Sequence, residues 1–214
     1  MPSLRPLKVR RSRGGFTLIE LLVSVAIISL LIAILLPSLG AARTKGRRTA
    51  CSSNLRQLAI GMRSYLDSNG DIFPYASFMP SVDAFPIGMP GGPDQPIPVG
   101  AAKPIFLADV LAPHLGGSQK AFACPDDTGQ IERGAPNEGK SYFSTEKSSY
   151  EYRFRLGGIS IAESIKRMAE FTGRTINENT LWILRDYDNF HGPGGKPGAR
   201  RYVYYDTHVT DFEN

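Results

Sequence analysis

The sequence of 214 residues lacks the short motifs that mark several large enzyme classes. It has no glycine-rich phosphate-binding loop, no HExxH zinc-protease element and no GxSxG nucleophile element. Metal-binding side chains are also scarce, because the chain has only two cysteines and three histidines. Two cysteines alone cannot complete a structural zinc site, which takes four ligands. The composition therefore favours a protein that is not an enzyme.

Acidic residues are absent from the first fifteen positions, and this absence explains the net charge of the chain. The whole chain has 25 basic and 20 acidic residues, and five of the basic ones lie in residues 1–15, so the rest is formally neutral. A basic segment in front of an apolar run stays on the cytoplasmic side of a membrane. A nucleic-acid-binding head would need basic residues on the folded domain, so we expect no nucleic-acid partner for it.

A long apolar run covers residues 16–36 and contains a single charged residue, Glu20. About 20 apolar residues are enough for a helix to cross the hydrocarbon core of a bilayer, so this run predicts a transmembrane helix. The small pair Gly14–Gly15 stands before the run rather than after it. Cleavage there would remove residues 1–15 as a leader peptide and keep the helix, whereas the alternative is a signal anchor that is never cut.

Glu20 is an unusual residue for a membrane helix. A charged side chain near the bilayer centre costs roughly 2.5 kcal/mol or more, so it needs a partner or access to the interface. One interpretation is that Glu20 reaches up to the lipid headgroups. The other is that it pairs with a positive group of a neighbouring subunit, and the amine that cleavage creates at Phe16 is such a group.

Residues 37–68 continue the helical pattern beyond the apolar run. Apolar side chains recur there at spacings of three and four, which predicts an amphipathic helix with one buried face. Pro37 lacks a backbone donor and is expected to kink or loosen the helix. The pair Asn69–Gly70 is expected to end it.

The two cysteines lie in different parts of the chain. Cys51 falls on the buried stripe of the predicted helix, and Cys124 precedes a proline. They are either two unrelated buried thiols or the two halves of one disulfide. An exported domain favours the disulfide, because compartments outside the cytoplasm are oxidising.

Residues 69–214 are predicted to form a globular head. Residues 74–104 are rich in proline and glycine and predict a loop, whereas 105–115 and 159–171 predict helices, the first interrupted at Pro113. Three segments rich in aromatic, β-branched or other apolar residues predict strands. They are residues 149–156, 180–185 and 201–206. The predicted fold class is α+β, with a long amino-terminal helix packed on a small antiparallel β-sheet.

His191, Asp206 and His208 are the candidate metal ligands near the carboxyl end. Calcium or another divalent metal would suit this region, since neighbouring aspartates add hard oxygen ligands. The alternative, which the sequence favours, is a polar hairpin whose His and Asp side chains cap turns and strands without any cofactor.

The segment GGFTLIELLVSVAIISLLIAILLP, residues 14–37, resembles the amino-terminal signature of type IV prepilins and type II secretion pseudopilins. The resemblance implies that a prepilin peptidase cleaves between Gly15 and Phe16 and methylates the new amine of Phe16. It also implies a role for Glu20 in filament assembly and a helix kink at Pro37. The expected architecture is pilin-like.

Two further regions carry a resemblance. Residues 65–74, YLDSNGDIFP, resemble the end of the long helix in pseudopilins. Residues 122–125, FACP, together with His191 and the segment 206–209, DTHV, resemble a prepilin-type family that ends in Asp-Gly-His-Val. Thr207 here replaces the glycine of that ending, and threonine disfavours positive φ.

These resemblances imply a structural subunit of a type II secretion pseudopilus. It would cross the inner membrane once with its head in the periplasm, and would belong to a periplasmic or cell-surface filament after assembly. The implied partners are the prepilin peptidase, other pilin or pseudopilin subunits, the inner-membrane assembly platform and membrane lipid. The alternatives are a type IV pilus subunit for adhesion, motility or DNA uptake, and a membrane-anchored metal-binding protein or enzyme.

Overall fold

A computed structural model describes residues 16–76, 106–129, 137–192, 194, 196 and 198–211. Within these ranges the α-helices are α1 (Leu18–Ser68), α2 (Leu107–Leu111), α3 (Tyr142–Glu146) and α4 (Ile161–Thr172). The β-strands are β1 (Tyr150–Tyr152), β2 (Trp182–Asp186), β3 (Tyr202–Tyr204) and β4 (Val209–Thr210). Short 3-10 helices lie at Ala112–Leu115, Lys120–Phe122 and Phe154–Leu156. The predicted leader, and the predicted loop from residue 77 onward, lie outside the described residues.

The described residues fall into two compact units that divide after Thr44. The first unit holds the amino-terminal part of α1, whose large apolar side chains are exposed. The second unit begins at Lys45 and contains the rest of α1 together with the shorter helices and the strands. Residues 45–68 therefore belong to the same compact unit as the described residues of the head predicted over 69–214.

The carboxyl-terminal part of α1 lines the core of the second unit. Its buried side chains recur every three or four residues, as the sequence pattern predicts. They are Cys51, Leu55, Leu58, Ala59, Met62 and Leu66. The helix ends where Gly70 adopts a φ of +64° and the backbone N–H of Asp71 donates to the carbonyl of Leu66 at 3.0 Å. The predicted helix end at Asn69–Gly70 is thus confirmed.

The four strands form one antiparallel sheet in the order β1–β2–β3–β4. In the interior strand β2, Leu184 pairs with Tyr152 of β1 on one side and with Val203 of β3 on the other. All three side chains are buried, so the sheet and the carboxyl-terminal part of α1 share one hydrophobic core. The predicted α+β architecture, a long helix with a small antiparallel sheet, is confirmed.

Local signals explain the bounds of two shorter helices. α2 passes into a 3-10 helix at Ala112, next to Pro113, which cannot donate a backbone hydrogen bond. α4 begins after Ser160, whose hydroxyl oxygen accepts a hydrogen bond from the backbone N–H of Glu163 at 3.3 Å. It is followed by Gly173, whose φ of +66° glycine adopts without the steric cost that a Cβ atom would add.

Candidate functional site

The amino-terminal part of α1 presents a long apolar surface. The side chains of Phe16 and Leu18 are 74% and 79% exposed, and exposed large apolar side chains continue as far as Leu39. In the described part of the chain, α1 is the one helix long and apolar enough to cross a membrane. An exposed apolar surface of this length is stable only where lipid or other helices shield it from water.

Glu20 has a hydrogen-bonding role at the start of this helix. Its Oε2 atom accepts hydrogen bonds from the hydroxyl of Thr17 at 2.7 Å and from the backbone N–H of Thr17 at 2.9 Å. In return, the Thr17 hydroxyl oxygen accepts from the backbone N–H of Glu20 at 3.3 Å. This reciprocal arrangement is a capping box, which satisfies backbone donors that the first turn leaves without partners.

A disulfide joins Cys51 of α1 to Cys124, which lies just after the 3-10 helix Lys120–Phe122. The two Cα atoms are 5.0 Å apart and both residues are buried. A hydrogen bond joins the same two segments, because the side-chain amide of Asn54 donates to the carbonyl of Ala123 at 2.8 Å. A second one joins α1 to β1, since the hydroxyl of Tyr150 donates to the carbonyl of Cys51 at 3.3 Å.

His191 lies beside this disulfide and is almost fully buried. Its Nδ1 atom is 3.0 Å from Oδ2 of Asp126, and its Nε2 atom is 3.9 Å from Sγ of Cys124. Asp126 in turn pairs with Arg47 of α1, with 2.5 Å between Oδ1 and Nε of the arginine. The disulfide, the imidazole and the Asp126 carboxylate therefore form one buried polar cluster at the edge of the core, and the Arg47 side chain, which is 45% exposed, pairs with it from the solvent side.

Asp186, at the end of β2, closes the cluster on the other side of the imidazole. Its Oδ2 atom lies 3.4 Å from Nε2 of His191 and accepts a hydrogen bond from the backbone N–H of Arg201 at 2.8 Å. Its Oδ1 atom is buried and has no hydrogen-bond partner among the described residues. Burial raises the pKa of Asp186, against the opposing effects of His191 and Arg201.

The structure does not bring together the three residues predicted as one metal-binding set. His208 pairs with Asp206 through Nδ1 and stacks on the ring of Tyr204 at a centroid distance of 4.3 Å. His191 instead contacts Asp126 and Asp186. In the described residues, the atoms that group as potential metal ligands, all within 4.8 Å of one another, belong to Cys51, Cys124 and His191. Calcium binding near the carboxyl end stays a prediction.

Two family models match the amino-terminal part of the chain. The model of the prokaryotic N-terminal methylation motif matches residues 10–36, and a family described as protein of unknown function (DUF1559) matches residues 40–88. The chain is therefore similar to type IV prepilins in its amino-terminal part. No curated protein and no solved structure matches it. The motif of this prepilin-like protein implies processing by a prepilin peptidase and assembly with other pilin subunits.

The methylation motif overlaps the residues that were predicted as the processing site. Phe16 is described and lies just before the start of α1, whereas Gly15 lies outside the described residues. Pro37 lies within α1. Thr17 was not among the predicted site residues. Its signal is nevertheless in the sequence, because a threonine followed three residues later by glutamate is the signature of a capping box.

Proposed function

We propose that this prepilin-like protein is a structural subunit of a type II secretion pseudopilus. It is cleaved between Gly15 and Phe16 and assembles through the amino-terminal part of α1. The observation that carries the proposal is the methylation motif, residues 10–36, which leads into an exposed apolar helix with one carboxylate. Residues 65–74 support a pseudopilus, because they resemble the end of the pseudopilin helix.

The proposed topology is a single pass through the inner membrane with the head in the periplasm. The basic residues before the apolar run favour a cytoplasmic amino terminus before cleavage. The buried Cys51–Cys124 disulfide suits an oxidising compartment on the other side. Both features support the same orientation independently of each other.

In the proposed assembly, Glu20 binds the methylated amine of Phe16 on a neighbouring subunit. Both hydrogen bonds from Thr17 go to Oε2, so the capping box leaves Oε1 of Glu20 for a partner on another chain. Packed helices exclude the water that would otherwise screen the pair. A misplaced subunit would leave a charge buried without a partner, so the contact also sets the axial register of the filament.

Three variants separate the charge of Glu20 from its capping role. Glu20→Leu removes both, Glu20→Gln keeps a hydrogen-bond acceptor but removes the charge, and Thr17→Val keeps the charge but removes the cap. We expect insertion and cleavage to be normal in all three. Filament yield, measured by electron microscopy and by immunoblotting of sheared filaments, should fall sharply for both Glu20 variants and stay near wild type for Thr17→Val.

The outcome for Glu20→Gln decides between charge pairing and simpler roles. Wild-type filament yield from this variant would show that the charge is dispensable and that the proposed pairing is wrong.

Deletion of the gene in its own host then tests the type of filament. Retention of secreted proteins in the periplasm supports the pseudopilus, whereas loss of surface fibres with normal secretion would assign the protein to a type IV pilus.

A further inference from the structure

We propose that the head, when its disulfide is reduced, binds one thiophilic divalent metal ion such as Zn²⁺ through Sγ of Cys51, Sγ of Cys124 and Nε2 of His191. These three atoms lie within 4.8 Å of one another, although the residues come from distant parts of the sequence. All three residues are buried. Two thiolates and one imidazole are a ligand set that zinc prefers.

The ligand geometry needs only a local change. In a tetrahedral zinc site with these ligands, neighbouring ligand atoms lie roughly 3.5–3.8 Å apart. Nε2 of His191 is already 3.9 Å from Sγ of Cys124. Reduction of the disulfide by two electrons and two protons, supplied by a thiol or phosphine reductant, gives two thiols whose sulfurs can separate. Metal binding then releases the two thiol protons.

The surroundings of His191 support a role as a metal ligand. A metal-binding histidine commonly donates its second ring N–H to a carboxylate, which fixes the tautomer and the ring orientation. Asp126 provides this partner at 3.0 Å from Nδ1, and its own position is held by the ion pair with Arg47. With the proton on Nδ1, the lone pair of Nε2 lies on the side of the ring that faces the Cys124 sulfur.

A fourth ligand position is available near the same imidazole. Oδ2 of Asp186 lies 3.4 Å from Nε2 of His191, and Oδ1 of Asp186 is buried without a hydrogen-bond partner among the described residues. Asp186 lies outside the group of atoms within 4.8 Å of one another, so its role is to accept a hydrogen bond from a metal-bound water that takes the fourth position. The site would hold α1, the segment around Cys124 and the segment around His191 together while no disulfide is present.

The test uses the processed, full-length protein in detergent, reduced with a phosphine and desalted without oxygen. Titration with Co²⁺ should give the intense visible bands of a tetrahedral site and the charge-transfer band of thiolate ligands, saturating at one ion per chain. Zn²⁺ should displace Co²⁺ and raise the melting temperature of the reduced protein. The unreduced protein, which has no thiolates, should give none of these signals.

Matched variants assign the ligands. The double variant Cys51→Ser/Cys124→Ser should lose the charge-transfer band and the bound ion. Asp126→Asn should weaken the metal affinity by about 10- to 100-fold, the range seen when a partner of a metal-binding histidine is changed. His208→Ala, which removes a half-exposed imidazole outside the cluster, should bind as wild type.

Three binding results would overturn the proposal. They are a reduced wild-type protein that takes up no Co²⁺ or Zn²⁺, a spectrum of an octahedral site with oxygen ligands, and unchanged binding in the double cysteine variant. A reduced head that stays unfolded in the presence of zinc would count equally against it, because a site of this kind must stabilise the folded state.

Discussion

Removal of the Cys51–Cys124 disulfide is expected to cost the head a large part of its stability. The bond closes a loop of 73 residues, and the chain-entropy relation for a loop of that length gives about 4.4 kcal/mol at 25 °C. Because single domains unfold with a free energy of about 5–15 kcal/mol, the loss amounts to roughly 30–90% of the total. Substitution by alanine leaves in place the hydrogen bond of Asn54 to Ala123 and that of Tyr150 to the backbone of residue 51, so most of the effect arises in the unfolded chain.

The only tryptophan of the chain provides the assay. Trp182 lies in β2 and is 6% exposed, so unfolding of the head transfers its indole to water and changes its fluorescence. Urea unfolding of the full-length Cys51→Ala/Cys124→Ala variant, in detergent with a metal chelator, should show the loss together with a larger m-value, because the unfolded chain is no longer cross-linked. A loss below about 1 kcal/mol would refute the chain-entropy account of this bond.

Two further predictions concern backbone conformation and close packing in the head, and both are measured by the same urea unfolding. Thr207 has a φ of +74°, and this conformation costs a residue with a Cβ atom roughly 1–2 kcal/mol. Thr207→Gly should therefore stabilise the head by about 1 kcal/mol, once the entropy cost of glycine is subtracted. An unchanged or lower stability of this variant would contradict the prediction. A Cβ atom on Gly61 would lie 2.8 Å from Cδ2 of Leu115, whereas one on Gly46 in the same helix meets nothing within 4 Å. Gly61→Ala should therefore be less stable than its control Gly46→Ala by about 1–3 kcal/mol, and equal stabilities would show that Leu115 moves aside freely.

The parts of the fold that could be predicted are those with a local periodic signal. The apolar stripe from Cys51 to Leu66 is visible because a helix brings every third and fourth residue to one face. Residues 180–185 indicate β2 because they contain a short apolar run, residues 181–184, that is buried in the core. The helix end at Gly70 follows from the conformational freedom of glycine at a left-handed position. Each of these signals lies within the element that it predicts.

The parts that could not be predicted depend on partners that are distant in the sequence. α3 begins where the backbone N–H groups of Tyr142 and Phe143 donate to the carboxylate of Asp127, at 3.1 Å and 2.8 Å. Nothing in a window around residue 142 reveals that partner. In the same way, the contact of His191 with Asp126 joins residues 65 positions apart. The predicted set of metal ligands therefore combined His191 with Asp206 and His208, which lie nearer to it in the sequence.

The mass of the amino-terminal peptide of the membrane-bound protein tests the central claim most directly. In cells that contain a prepilin peptidase, we expect a chain that begins at Phe16 with a methylated amine. Gly15→Val should block this processing by adding bulk at the scissile bond, and it serves as the control for the assignment of the peptide. A wild-type chain that still begins at Met1 in such cells would contradict the account, because neither the amine of Phe16 nor its pairing with Glu20 would then exist.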